Sequence, residues 1–95
     1  MVVGVLQFDL MIYVSNSLKD KRSVCRRLVA DLQHQFLASV AEVEHQDLWN
    51  RLGLGVAVAG QDARQVERVL QSIEDHVAEF SEVEIIAAER EIIHV

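Results

Sequence analysis

From Val2 to Tyr13 (VVGVLQFDLMIY) the apolar residues follow a period of two. Val2, Leu6, Phe8, Leu10 and Ile12 form an almost wholly apolar even set, while Val3, Val5, Gln7, Asp9, Met11 and Tyr13 form a mixed odd set. This predicts a strand with one buried face and one half-buried face. Ser15-Asn16-Ser17 follows with turn chemistry, and Ser17 with Asp20 three residues on resembles a capping box with a short acid. From Leu18 the apolar spacing lengthens to about 3.6 residues: Leu18, Cys25, Leu28, Val29, Leu32 and Phe36 share one face. A helix is predicted over 18–37.

Ser39–His45 (SVAEVEH) alternates loosely and reads as a second strand, and the polar segment 46–50 as its connection to a third. That third strand, Leu52–Ala59 (LGLGVAVA), carries large residues on one face and only Gly53, Gly55, Ala57 and Ala59 on the other. The small face predicts a close approach by a helix or another backbone. Asp62 with Gln65 marks a second helix start. Val66, Val69, Leu70, Ile73, Val77 and Phe80 trace its stripe, giving a helix over 62–80. Val83–Val95 returns to strand composition, with a slip in alternation near Ala87-Ala88 that predicts a bulge.

The order strand–helix–strand–strand–helix–strand is the split β-α-β-β-α-β, ferredoxin-like α+β arrangement: a four-stranded antiparallel sheet with two helices on one face. The other face is left bare. Val3, Val5, Met11 and one side of the third strand would then form an apolar patch, and exposed patches of that kind mark interfaces. Self-association through the sheet face is the expected solution.

Length and composition narrow the class. Ninety-five residues make a single domain, 1–95, with room for one core. Half of the residues are apolar and the formal charge is −6, which excludes a disordered tail and a uniformly basic nucleic-acid coat. The sole cysteine, Cys25, has no disulfide partner, sits on the apolar stripe and reads as inert filler. The first apolar run, 1–14, has no basic leader, carries Asp9 and is too short to span a bilayer. A cytoplasmic protein without a membrane segment is expected.

Against this acidic background, Lys19, Lys21, Arg22, Arg26 and Arg27 are five of the nine basic residues and lie within nine positions, with Asp20 the one acidic residue among them. Cations in a first helical turn face the positive end of the macrodipole, at a cost of about 0.3–1 kcal/mol each. Backbone amides and basic side chains converging at a helix start can hold an anion. Lys19, Lys21, Arg22 and Arg26 are therefore candidates for binding phosphate, of RNA or of a small ligand. A solvated face that keeps the helix soluble is the competing reading. Around the second connection, Glu42, Glu44, His45, Asp47 and Trp49 gather, with His45 and Asp47 expected on one side of the second strand. His45, Asp47 and Trp49 are candidate partner contacts, and the indole could stack a base. Too few ligands accompany them for a metal, and no nucleophile for catalysis. No catalytic residue and no cofactor is expected. The third strand has no base-stacking aromatics of an RNA-recognition motif, and no GXXG clamp or C-x-x-C occurs. The turn after the first strand also has no arginine of the kind a phosphate-hydrolysing version of this fold would use.

Two stretches, SLKDKR at Ser17–Arg22 and VAEVEHQDLWNRLGLGVAV at Val40–Val58, together with the Val-Val-Gly start, resemble the YlxP-like family of small bacterial proteins. The resemblance covers essentially the whole chain and implies a ferredoxin-like fold. Genes of that family often lie beside those for transcription antitermination, translation initiation and ribosome maturation, which implies a ribosome- or RNA-associated role by association. It carries over no catalytic residues. The expectation is a non-enzymatic module that binds RNA or a ribosomal subunit through its basic first helix. An oligomeric protein-interaction module using the open sheet face is the alternative, and an enzyme for a small anionic substrate a distant third.

Overall fold

The computed structural model describes residues 1–13 and 15–95, so the last residue of the first apolar run, Val14, lies outside the described residues. Six elements follow in the predicted order: β1 Val2–Ile12, α1 Leu18–Gln35, β2 Ser39–Glu44, β3 Arg51–Gly60, α2 Ala63–Ala78 and β4 Val83–His94. Both helix starts are set by the predicted caps. Ser17 Oγ accepts from the Asp20 amide at 3.1 Å, and Asp62 Oδ1 accepts from the Gln65 amide at 3.0 Å. The Asp20 carboxylate reaches back to the amide of Asn16 at 3.1 Å, one residue before the cap. Helix α1 stops two residues earlier than its spacing predicts. Phe36 turns to extended backbone and sets its ring edge-on against His76 of α2, with centroids 5.7 Å apart.

The sheet order is β2-β3-β1-β4 with every neighbouring pair antiparallel, so each helix joins two parallel, non-adjacent strands. This is the ferredoxin-like arrangement. The even residues of β1 and the large residues Leu52, Leu54, Val56 and Val58 of β3 face the helices. With Val24, Leu28 and Leu32 of α1, and Val66, Leu70, Ile73 and Val77 of α2, they make the core. The bulge in β4 falls at Ile86, which has no partner between Asp9↔Ala87 and Leu10↔Ile85.

The small face of β3 points away from both helices. Its close neighbour is strand β2, through Glu44 and the Val43 side chain, and β2 bulges at Val43, between Glu42 and Glu44. A Cβ on Gly53 would lie 2.5 Å from Glu44 Cβ, and one on Gly55 2.9 Å from Val43 Cγ1. The helix makes its close approach elsewhere: a Cβ on Gly4 would meet Val66 Cγ1 at 2.4 Å. The edge and layer contacts are completed by charge. Arg90 of β4 reaches Glu67 at 2.9 Å and Glu74 at 3.0 Å on α2, and its pKa is raised first by the Glu67 hydrogen bond. Among the described residues, no helix is long and apolar enough to cross a membrane.

Candidate functional site

Helix α1 separates its basic residues into three environments. Lys19, Arg22 and Arg26 are exposed, and among the described residues no carboxylate lies within 4.0 Å of their charged groups. Arg26 Nε only touches the carbonyl of Arg22, one turn back, at 3.4 Å. Arg27 is held in a two-point pair with Glu82, whose carboxyl it keeps below the usual carboxylate range.

Lys21 is a correction to the predicted cluster. It is only 2% exposed and faces the sheet. Its ammonium donates to the carbonyl of His45 and stands 2.9 Å from Glu42 Oε2. The Glu42 contact is an ion pair without hydrogen-bond geometry, because that buried oxygen has no hydrogen-bond partner. Lys21 is thus a strut between α1 and the β2–β3 connection rather than a phosphate ligand. The helix start is also less open to an anion than its sequence suggests. The Asp20 amide is capped, and the Asp20 carboxylate occupies the space before the helix.

The second candidate group is also rearranged. Strand β2 ends at Glu44, and His45 takes a left-handed conformation, φ 62°, that begins the turn. His45 and Asp47 therefore do not share a strand face. The His45 ring instead approaches Asp9 of β1, with Nε2 3.4 Å from Oδ1, and Asp9 is gripped by Arg51 at two points. The His45 carbonyl also accepts from the Leu48 amide at 3.0 Å, and Ile12 donates to the Asn50 carbonyl at 3.0 Å. The turn is fastened from the helix side by Lys21 and from the open side by Asp9. Asp47, Leu48 and Trp49 are left at its tip, with Trp49 46% exposed.

The open sheet face has a different character. A groove of about 200 Å³ there is bordered by Gln7, Asp9, Val43, Glu44, Gly53 and Glu89. Its carboxylates oppose the anions that α1 would attract. Among the described residues no group of three or more His, Cys, Asp or Glu is placed to hold a metal. Cys25 is partly buried on α1; burial first, then the nearby Glu42 charge, push its thiol pKa up, so it carries little thiolate. The residues that sequence reading missed are Asp9 and Arg51, which lie in different strands, and Tyr13 and Leu48, which a pattern of core positions leaves unremarked.

These features define a ferredoxin-like α+β domain with an exposed basic helix flank and an acidic open sheet. The chain resembles, at 13% identity and a TM-score of 0.51, the solved structure of SnoaB, a cofactor-independent oxygenase from Streptomyces nogalater, in its N63A mutant. The match covers 99% of this chain and 92% of that one, and at such identity the likeness is one of fold alone. Residues 3–90 match the family model described as "Protein of unknown function (DUF503)". The chain is also 32% identical over 83 residues to "Uncharacterized protein YlxP" of Bacillus subtilis (strain 168), covering 87% of this chain and 90% of that protein. The chain belongs to this YlxP-like DUF503 family.

Proposed function

We propose that this protein is a non-enzymatic module that binds the phosphate backbone of RNA, on a ribosomal subunit, through Lys19, Arg22 and Arg26. One observation carries the reading: in a chain of charge −6, these three cations project together from α1 with no carboxylate partner among the described residues. A solubilising face on an acidic protein has no need of unneutralised cations near a helix start. The gene setting implied by the YlxP-like resemblance adds the ribosome. Removing Lys21 from the set leaves three phosphate contacts. The log–log salt slope on single-stranded RNA is then about −2, or roughly a 20-fold loss between 50 and 200 mM salt. Phosphate contacts position without reading bases, so sequence preference is slight. The test is binding to RNA and to isolated ribosomal subunits across salt, for wild type and Lys19→Glu/Arg22→Glu/Arg26→Glu. The triple variant should stay folded by circular dichroism and lose at least about tenfold in affinity. Equal binding by the two folded proteins would refute the reading.

A second reading has its own support on the open face. Val3 is flanked by Ala59 and Ile93, and Val5 by Ala57, which gives a contiguous apolar surface on which Ile93 is 39% exposed. Strands of 11, 6, 10 and 12 residues offer roughly 600 Å² in plan, somewhat below the ~800 Å² per partner of a standard interface. We infer that two copies pair through this face. Glu89 and Glu91, beside Gln7 and Val5, put like charges near the contact. Added salt should therefore strengthen the dimer while weakening RNA binding. Light scattering at micromolar concentration should find a dimer that Ala57→Arg disperses. A wild-type monomer at every salt concentration would count against it.

A further inference from the structure

The hairpin tip and the start of α1 are far apart in sequence but occupy one end of the molecule. Lys21 ties the first turns of α1 to the His45 carbonyl, and Ile12 at the end of β1 is bonded to Asn50 beside Trp49. Two aromatics are exposed at this end, Trp49 at 46% and Tyr13 at 63%, in a chain that has only five aromatic residues of the Phe, Trp and Tyr types. Elsewhere the aromatics are drawn inward: Phe8 is in the core, and Phe36 and Phe80 pack partly buried against it. An exposed indole at the same end of a molecule as a basic helix flank is a combination that single-stranded nucleic acid uses, cations for the backbone and a π-face for the base.

We propose that Trp49 is a base-stacking platform, so that the ligand of this end is unpaired RNA rather than duplex or a lone phosphate. The inference rests on the reading that Lys19 and Arg22 take the phosphates. Three fastenings hold the turn before any ligand arrives: Lys21 to the His45 carbonyl, the His45 ring to Asp9, and Asn50 to Ile12. A side chain presented from a fixed turn loses little freedom on binding, which favours it as an anchor. Asp47 at the tip repels phosphate and Asp20 is turned onto the Asn16 amide. The backbone track is thereby directed along the Lys19–Arg22–Arg26 flank, with the bases towards the tip. An A-form duplex keeps its bases stacked within the helix and offers the indole nothing comparable.

Trp49 is the only tryptophan, so its fluorescence reports on this position alone. The probes are an oligoadenylate of about 12 nucleotides, an abasic phosphodiester chain of the same length, and the matching RNA duplex. The oligoadenylate should quench Trp49 and the abasic chain should not. Trp49→Ala should weaken oligoadenylate binding by about 5- to 150-fold, leave the abasic chain unaffected, and Trp49→Phe should recover most of the loss. If Trp49→Ala binds oligoadenylate as well as wild type while the triple charge reversal does not bind, stacking is wrong and the phosphate reading stands. Tighter binding of the duplex than of the single strand would likewise overturn the platform. If wild type binds none of the probes at low salt, both readings fall.

Discussion

Replacing Lys21 by alanine is expected to lower the stability of the domain by about 3 kcal/mol and its thermal midpoint by more than about 10 °C. The side chain is among the largest that are fully buried, and it carries a charge. Its removal leaves the Glu42 carboxylate without its counter-ion and takes one of two donors from the His45 carbonyl, which keeps the Leu48 amide. A broken buried ion pair is costly chiefly because one charge stays behind unpaired. Glu42 is 27% exposed and can draw on water, which holds the loss to the lower end of the usual range. Replacing both partners, Lys21→Met with Glu42→Leu, should recover at least half of the loss. Chemical denaturation of the two single variants and the double variant measures the coupling. A Lys21→Ala protein within 1 kcal/mol of wild type would show that the strut carries no stability.

The second large effect is steric. Gly4→Ala should cost about 2 kcal/mol, because the new Cβ would lie 2.4 Å from Val66 Cγ1 and 2.8 Å from Leu70 Cδ1. Both neighbours are buried in α2, so the helix must shift or the rotamers strain. The change also removes freedom from the unfolded chain, which returns about 0.4–1 kcal/mol and is already within that net figure. Gly55→Ala makes the control. There the Cβ meets Val43, a half-exposed side chain on the open face that can swing aside, and stability should change by less than about 0.5 kcal/mol. Equal losses at the two glycines would show that the close approach of α2 is not what sets the cost at Gly4.

The elements themselves were legible in the residues because each answers to local rules. Periods of two and 3.6 follow from backbone geometry, and the Ser17 and Asp62 caps satisfy amides only three residues away. The break in alternation near Ala87 signalled the bulge at Ile86 for the same reason. Helix α1 overran its true end because no glycine or proline marks it, and the stop depends on Phe36 finding His76 in another helix.

The charged residues of α1 mark the limit. Lys21 lies seven and eleven residues before Leu28 and Leu32, so helical spacing does place it on the buried stripe. Hydropathy argues the opposite, and the burial becomes tolerable only because the fold brings Glu42 and the His45 carbonyl to its ammonium. The same holds for His45 and Asp9, and for the small face of β3. The His45–Asp9 pairing joins distant parts of the chain and the β3 contacts cross the β2–β3 connection, and both are decided by strand register and by the bulge at Val43. Local periodicity therefore determined the elements, their order and the outward flank of Lys19, Arg22 and Arg26. Only the tertiary structure decided which charge is buried and which aromatics share its end of the molecule. Burial of a charge depends on partners that are distant along the chain, whereas helix and strand periods depend on neighbours.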